Sequence, residues 1–252
     1  YSQTDLLEKI SYKVSDNFLL TLNTQYSTSS DVPRYDQLTD YSDTQESELI
    51  WAEWYYGPQT RFLGSLSAKI KTENKWFSKM EILTHYQKID EDRISRKFAN
   101  NQRTTREEDV NVYGVNIAFL KENSTTKWFY GVEAIHNKVI SSAFSEDIVT
   151  NEKSIAATRY PDNGSTLTSL ASYISYKNNF TKKATFSLGG RYSYAMLTAA
   201  FKDITFIQLP FSEINNNSGA LTGNAGLNYH PNKKWNIQLA ISSAFRSPNV
   251  DD

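Results

Sequence analysis

Long runs of two-residue alternation constrain this chain more than any other sequence feature. From 184 to 196 the even positions are mainly apolar or aromatic, and the odd positions are mainly small or polar. Segments starting at Leu221 and Trp235 repeat the pattern, which gives a β-strand one apolar and one polar face. These segments run for about 10–14 residues, near the length of a tilted bilayer-crossing strand, whereas ordinary strands have about 5–6. The pattern favours an all-β, antiparallel transmembrane β-barrel over a soluble β-sandwich.

The connections between these segments alternate between short and long. The short turns are 14–17, 72–76, 122–125, 178–182 and 230–234. The long polar stretches are 27–59, 91–108, 141–165 and 198–218. Outer-membrane barrels show this alternation, with short periplasmic turns and longer outer loops.

The alternation of turns also fixes the number of strands. Two long loops on one side of the membrane must be separated by an even number of crossings. Residues 50–56 are strand-like, but counting them as a crossing would leave three between the first two long loops. We therefore expect them to form an outer hairpin or a strand extension above the membrane. The ten predicted crossings are 4–13, 18–26, 60–71, 77–90, 109–121, 126–139, 166–177, 183–196, 219–229 and 235–245.

Composition narrows the class further. A net charge of −1 gives no electrostatic case for nucleic acid, and the absence of Cys excludes disulfides and thiolate metal sites. A mean hydropathy of −0.57 is compatible with a barrel, because only every second strand residue faces lipid. Sixteen Tyr and five Trp fit aromatic girdles at the bilayer interfaces. The chain opens and stops within the pattern, so we expect 1–252 to be one partial barrel domain.

Several motifs resemble one family of outer-membrane proteins. Residues 245–249 read Phe-Arg-Ser-Pro-Asn and resemble the Phe-Arg-Ala-Pro-Asn segment of TonB-dependent receptors, with Ser247 replacing the usual Ala. That segment is associated with haem and haemoglobin receptors. Three further stretches resemble receptors of this family from Bacteroidetes-type bacteria, namely 31–38, 87–91 together with 93–96, and 158–162.

The resemblance implies a location, partners and a cargo. Such receptors lie in the bacterial outer membrane and have a barrel of about 22 strands that encloses a plug domain. They take up a scarce nutrient, such as haem iron or an iron siderophore, with energy supplied through TonB. The expected partners are therefore the nutrient ligand, outer-membrane lipid, the receptor's own plug and TonB, with the plug and the TonB-binding segment outside these residues.

Candidate contact residues lie on polar strand faces and in the long loops. His85, Gln87, Glu91 and Arg93 share one face, which should be turned to the lumen because Arg or Lys facing mid-bilayer lipid costs about 2–4 kcal/mol. They would contact plug or ligand, or form an ion-pair ladder that stiffens the wall. Loop Arg and Tyr residues would recognise an anionic or aromatic ligand, or simply fold the loops. The candidates are Arg34, Tyr35, Asp36, His85, Gln87, Glu91, Arg93, Arg96, Arg159, Tyr160, Arg246 and Asn249.

Other chemistries find little support in the sequence. Of the three His, His230 falls in a periplasmic turn and His136 shares a face with Trp128 and Tyr130, so only His85 would face the lumen as a possible haem ligand. No Gly-rich phosphate loop, Gly-x-Ser-x-Gly motif or metal-spaced His pair occurs, and we predict no catalytic residues. The alternatives are an outer-membrane barrel enzyme and a soluble β-rich adhesin or carbohydrate-binding module.

Overall fold

The computed structural model describes residues 1–42, 45–202, 205–206 and 210–248, and within them the chain is a β-sheet protein with one four-residue helix. Ten long strands form an antiparallel meander, in which each long strand pairs with the long strands that precede and follow it in the chain. They are β1 (Gln3–Ser15), β2 (Phe18–Ser29), β7 (Thr60–Lys71), β8 (Lys79–Lys97), β9 (Gln102–Glu122), β10 (Thr126–Asp147), β12 (Ser165–Thr181), β13 (Ala184–Ala200), β14 (Glu213–Asn232) and β15 (Trp235–Ser242). Each of the ten predicted crossings corresponds to one of these strands.

Several short elements lie at the end of the sheet that carries the long connections. They are β3 (Val32–Pro33), α1 (Tyr35–Leu38), β4 (Tyr41–Ser42), β5 (Gln45–Leu49), β6 (Trp51–Tyr56) and β11 (Lys153–Ile155). β6 pairs with the distal part of β8, from Arg93 to Lys97, and with β3. Residues 50–56 therefore form an extension of the sheet, one of the two arrangements expected for them. No helix in the described part of the chain is long and apolar enough to cross a membrane.

The predicted loop at 91–108 is wrong. β8 continues to Lys97 and β9 begins at Gln102, so only 98–101 connect them. The stretch is polar, but it contains no Gly or Pro, and a polar sequence does not stop a ladder once the strands have left the lipid. Similar extensions carry β10 to Asp147 and start β14 at Glu213, which shortens two other predicted loops.

β9 shows where the membrane band lies. On one side of this strand Val115 and Ile117 are flanked by aromatic residues, and polar side chains follow at Asn111 and Lys121. The ten steps between those polar residues span about 34 Å along a strand, or about 26 Å along the membrane normal at a tilt of about 40°. That height matches the apolar band of about 25 Å expected for an outer-membrane barrel. We call this side of the sheet the lipid face and the opposite side the lumen face.

Aromatic side chains mark both limits of the band on the lipid face. Near the short turns, Phe119 stacks on Tyr130 at 5.2 Å between ring centroids. Near the long connections, the rings of Tyr86 and Tyr113 lie 5.1 Å apart, and His136 continues this row at 6.5 Å from Tyr113. The two rows have the positions expected of aromatic girdles, and His136 lies on the lipid face with them.

The lumen face carries charged side chains and small residues next to each other. Arg191 bonds Glu133 at 2.6 Å across the intervening strand. Side chains here lie over glycines of the next strand: the His85 ring covers Gly114, so that a Cβ at Gly114 would overlap the imidazole. Tyr173 covers Gly131 in the same way.

Candidate functional site

Loop 156–163, which lies in the connection between β11 and β12, folds back onto the lumen face at the end with the long connections. The guanidinium of Arg106 donates from Nε to the Ala157 carbonyl at 3.1 Å, which ties the loop to β9. At its other end, the Asp162 carboxylate accepts a hydrogen bond from the backbone amide of Lys202 at 2.7 Å. The loop is therefore held against the wall from two sides.

A cavity of about 930 Å³ lies between this loop and the wall. Its wall side includes the buried side chains of Leu197 and Ala199, which point to the lumen from β13. Its polar lining includes Arg159, Tyr160 and Lys202, and the Arg159 guanidinium lies 4.9 Å from the centroid of the Tyr160 ring. Cations beside an aromatic ring and an apolar floor suit an anionic ligand that also carries apolar or aromatic groups.

The C-terminal motif approaches the same cavity. Pro248 contributes to the lining, and the hydroxyls of Ser247 and Ser218 lie 3.0 Å apart. β15 ends at Ser242, so Arg246 follows the regular ladder, at the base of the next connection. Asn249 lies outside the described residues.

A second predicted group, around Arg34, forms a clamp at the rim. The Arg34 guanidinium bonds the Asp36 carboxylate, donates to the Tyr56 hydroxyl at 3.3 Å and lies 4.7 Å from the Trp54 ring. The hydrogen bond from Arg34 lowers the pKa of Asp36 to about 2, and the same bond raises the pKa of Arg34. Tyr35 is 72% exposed and free to meet solvent. The clamp fixes α1 to β6.

The polar set on β8 forms a ladder along the lumen face. Glu91 accepts hydrogen bonds from Arg93 at 2.9 Å and from the Gln59 amide at 3.0 Å. Gln87 accepts two bonds from the Arg61 guanidinium, at 2.6 and 3.0 Å. This pairing matches the structural alternative, a ladder that stiffens the wall.

Arg96 does not join that set. It stands three residues after Arg93 in a regular strand and therefore lies on the opposite side of the sheet. There it donates to Glu53 at 2.7 Å and to the Asn100 carbonyl at 3.2 Å. This geometry does not support a role for Arg96 as a lumen contact. The three-residue spacing from Arg93 already indicated the opposite side of the strand.

Sequence reasoning missed Glu108 on β9. The residue is 6% exposed, lies directly opposite Glu91 and above the band that begins at Asn111. Neither carboxylate oxygen has a hydrogen-bond partner in the described part of the chain. Burial raises the pKa of Glu108 to about 7. Its position in a presumed loop gave no indication of this burial.

A family model described as TonB dependent receptor-like, beta-barrel matches residues 10–252. The chain belongs to this family. Receptors of the family lie in the outer membrane of Gram-negative bacteria and act as transporters rather than enzymes. The barrel and the outer-membrane location agree with the predictions from sequence.

Solved structures of the same fold include several transporters. The copper transporter OprC superposes with a TM-score of 0.75 at 12% identity, over 98% of this chain and 37% of that one. The FrpB iron transporter from Neisseria meningitidis (F5-1 variant) gives 0.68 at 15%, over 98% and 37%. The ferric citrate transporter FecA gives 0.65 at 15%, over 94% and 35%. No curated protein sequence matches the chain.

The chain thus spans little more than a third of the length of these structures. Its described sheet has two edges, β1 and β15, as expected for an arc of a larger barrel. At these identities the similarity concerns the fold, so the cargo has to be argued from the cavity.

Proposed function

We propose that this segment forms the ligand-facing wall of an outer-membrane receptor that imports a scarce nutrient with energy from TonB. The observation that carries the proposal is the cavity of about 930 Å³ on the lumen face beneath loop 156–163. It lies beyond the membrane band on the side of the long connections, where a ligand arriving from outside the cell would first meet the wall.

The cavity lining favours an anionic iron chelate as the cargo. Arg159 and Lys202 supply two positive charges against the single carboxylate of Asp162, and Tyr160 supplies an aromatic surface with a hydroxyl. Ferric siderophores and haem both combine negative groups with flat or apolar parts. For haem, His85 is the histidine on the lumen face, whereas His136 belongs to the lipid-face girdle.

The ladder and the central ion pair are proposed contacts of the receptor's own plug domain. Arg191 and Glu133 are partly exposed toward the lumen at membrane depth, with 39% and 27% of their side chains accessible. A plug that fills the lumen would meet them with complementary hydrogen-bonding groups. Arg246, at the loop base, is proposed to contact the plug or the ligand at the rim.

Uptake by the full-length receptor tests the proposal. A deletion strain starved of iron would be complemented with wild-type receptor and supplied with ferric catecholate, ferric citrate or haemin as separate probes. Arg159→Ala should weaken import of the accepted probe by about 10- to 100-fold in half-saturating concentration, because a charge-assisted contact is worth about 1.5–3 kcal/mol. Arg96→Ala removes the same charge from the opposite side of the sheet and is the matched control.

Surface expression, measured by antibody on intact cells, would separate binding from folding. Import of at least one anionic chelate, together with loss in Arg159→Ala and retention in Arg96→Ala at equal surface protein, supports the proposal. Equal import by the two variants would mean that the cavity does not bind the cargo. If none of the probes were imported in a receptor-dependent way, the proposed cargo class would be contradicted.

A further inference from the structure

The neighbouring strands β8 and β9 each carry one Glu and one Arg, two residues apart, on the lumen face. The two pairs make different contacts. On β8, Glu91 and Arg93 stand two residues apart and form an ion pair at 2.9 Å. On β9, Arg106 lies directly opposite Arg93, and Glu108 directly opposite Glu91. The spacing on β9 therefore allows the same ion pair.

Arg106 and Glu108 do not form this ion pair. Arg106 donates instead to the Ala157 carbonyl of loop 156–163, at 3.1 Å. Both carboxylate oxygens of Glu108 lack a hydrogen-bond partner among the described residues, although the residue is only 6% exposed. A buried carboxylate in this condition is tolerated as the neutral acid and is costly as the anion.

We propose that Arg106 is a positioning residue with two alternative partners: the Ala157 carbonyl, which holds the loop over the cavity, and the Glu108 carboxylate, which draws Arg106 away and releases the loop. The inference rests on the proposed function in one respect, namely that the loop carrying Arg159 and Tyr160 contributes to ligand binding. The latch itself is a property of the wall and does not depend on the cargo.

The charges around Glu108 set the direction of the effect. The charged groups that act on Glu108 are Glu91, Asp92 and Arg93 of β8 and Arg106 of β9. The loop reaches the residue paired with Glu108 on β10, because the Tyr160 backbone amide donates to the Ser141 hydroxyl at 3.5 Å. Burial and the acidic neighbours favour the neutral acid, and the two arginines of the wall favour the anion. With burial as the largest cause, the pKa stands at about 7 against an ordinary 4.5.

Protons therefore favour the closed loop. The closed state has the raised pKa, and an open state in which Glu108 reaches water or Arg106 has a lower one. The closed loop should dominate at acidic pH, and the ratio of open to closed loop should rise by up to about tenfold per pH unit as the pH increases from about 5 to 7.

Thiol labelling of the full-length receptor in outer-membrane vesicles tests the latch without any ligand. Ala157→Cys reports on the cavity side of the loop, and Val149→Cys, in a turn where Val149 is 69% exposed, corrects for the pH dependence of the thiol reaction itself. The ratio of the two labelling rates would be measured from pH 5 to 8. Each reporter would then be combined with substitutions at positions 106, 107 and 108.

The expected outcome is a rise of the ratio with pH in the otherwise unaltered receptor. Glu108→Gln, a neutral isostere, should hold the ratio at its acidic value, and Arg106→Ala should hold it high at every pH. Glu107→Gln is the matched control, because Glu107 bonds Ser142 on the opposite side of the sheet and should leave the profile unchanged.

A flat profile in the parent, or a Glu108→Gln profile like that of the parent, would overturn the latch. Glu108→Gln protein that fails to fold would be recognised by its loss of heat-modifiable mobility, and Arg106→Ala then decides the matter alone. These outcomes are independent of uptake: a failed latch with normal import leaves the proposed function standing, and pH-dependent labelling without import contradicts the cargo only.

Discussion

Replacing Ile82 by arginine should destabilise the barrel far more than the same replacement at its neighbour Leu83. Both are apolar residues of β8, next to each other in sequence. Ile82 lies on the lipid face, paired with Ala68 and Ile117. Leu83 lies on the lumen face, paired with Ser67 and Asn116. The two substitutions therefore differ only in the medium that the new charge meets.

The magnitude follows from the depth of Ile82. Its partner Ile117 stands six residues from Asn111 and four from Lys121, the polar ends of the band on β9. At about 3.4 Å per residue and a tilt of about 40°, these distances are about 16 and 10 Å along the membrane normal. Ile82 is thus near the middle of the bilayer, where an arginine costs about 2–4 kcal/mol, or roughly 30- to 700-fold in the folding equilibrium.

Urea unfolding of the full-length receptor in phospholipid vesicles would measure both variants. Ile82→Arg should lower the free energy of unfolding by about 2–4 kcal/mol and Leu83→Arg by about 1 kcal/mol or less, since the lumen side can solvate the charge. Equal losses would mean that the two sides of β8 meet similar surroundings. A larger loss at position 83 would reverse the assignment of the faces.

Two further predictions concern contacts of the wall and the rim. Gly114→Ala should lower stability by about 1–3 kcal/mol because the new methyl group overlaps the His85 ring, and a double-mutant cycle with His85→Ala should recover most of that loss in urea unfolding. The Arg34–Asp36 contact should persist above about pH 4 and be lost as the pH falls through about 2, since Asp36 titrates there instead of at 3.8. The Trp54 ring lies 4.7 Å from the Arg34 guanidinium, so its fluorescence should change in this transition. The Asp36→Asn variant should show no such change.

Local alternation was enough to predict the strands within the membrane. Each lipid-crossing strand encodes its own orientation, because charge is expelled from hydrocarbon and apolar residues are drawn to it. Leu188 and Leu239 therefore lie on the lipid face, with 51% and 69% exposure in this arc, and Arg191 lies on the lumen face beside Glu133. Counting crossings between long loops also placed β6 outside the membrane without any knowledge of its partner.

Above the membrane the same reasoning loses its basis. Both sides of the extended hairpin of β8 and β9 meet water or folded loops, so polarity no longer separates strand from loop. The partner of Arg106 lies 51 residues away in sequence, and the burial of Glu108 depends on how that distant loop folds back. Such contacts are set by tertiary packing, and a single sequence holds no periodic signal for them.

Energy-dependent import of radioactive ferric chelate by whole cells tests the central claim most directly. Cells that express the full-length receptor would be compared with cells that lack it, each in the presence and absence of TonB, under iron starvation. We expect accumulation of the label only when receptor and TonB are both present, with Arg159→Ala reducing the rate and Arg96→Ala leaving it unchanged. Accumulation that needs the receptor but not TonB, or that is the same without the receptor, would contradict it.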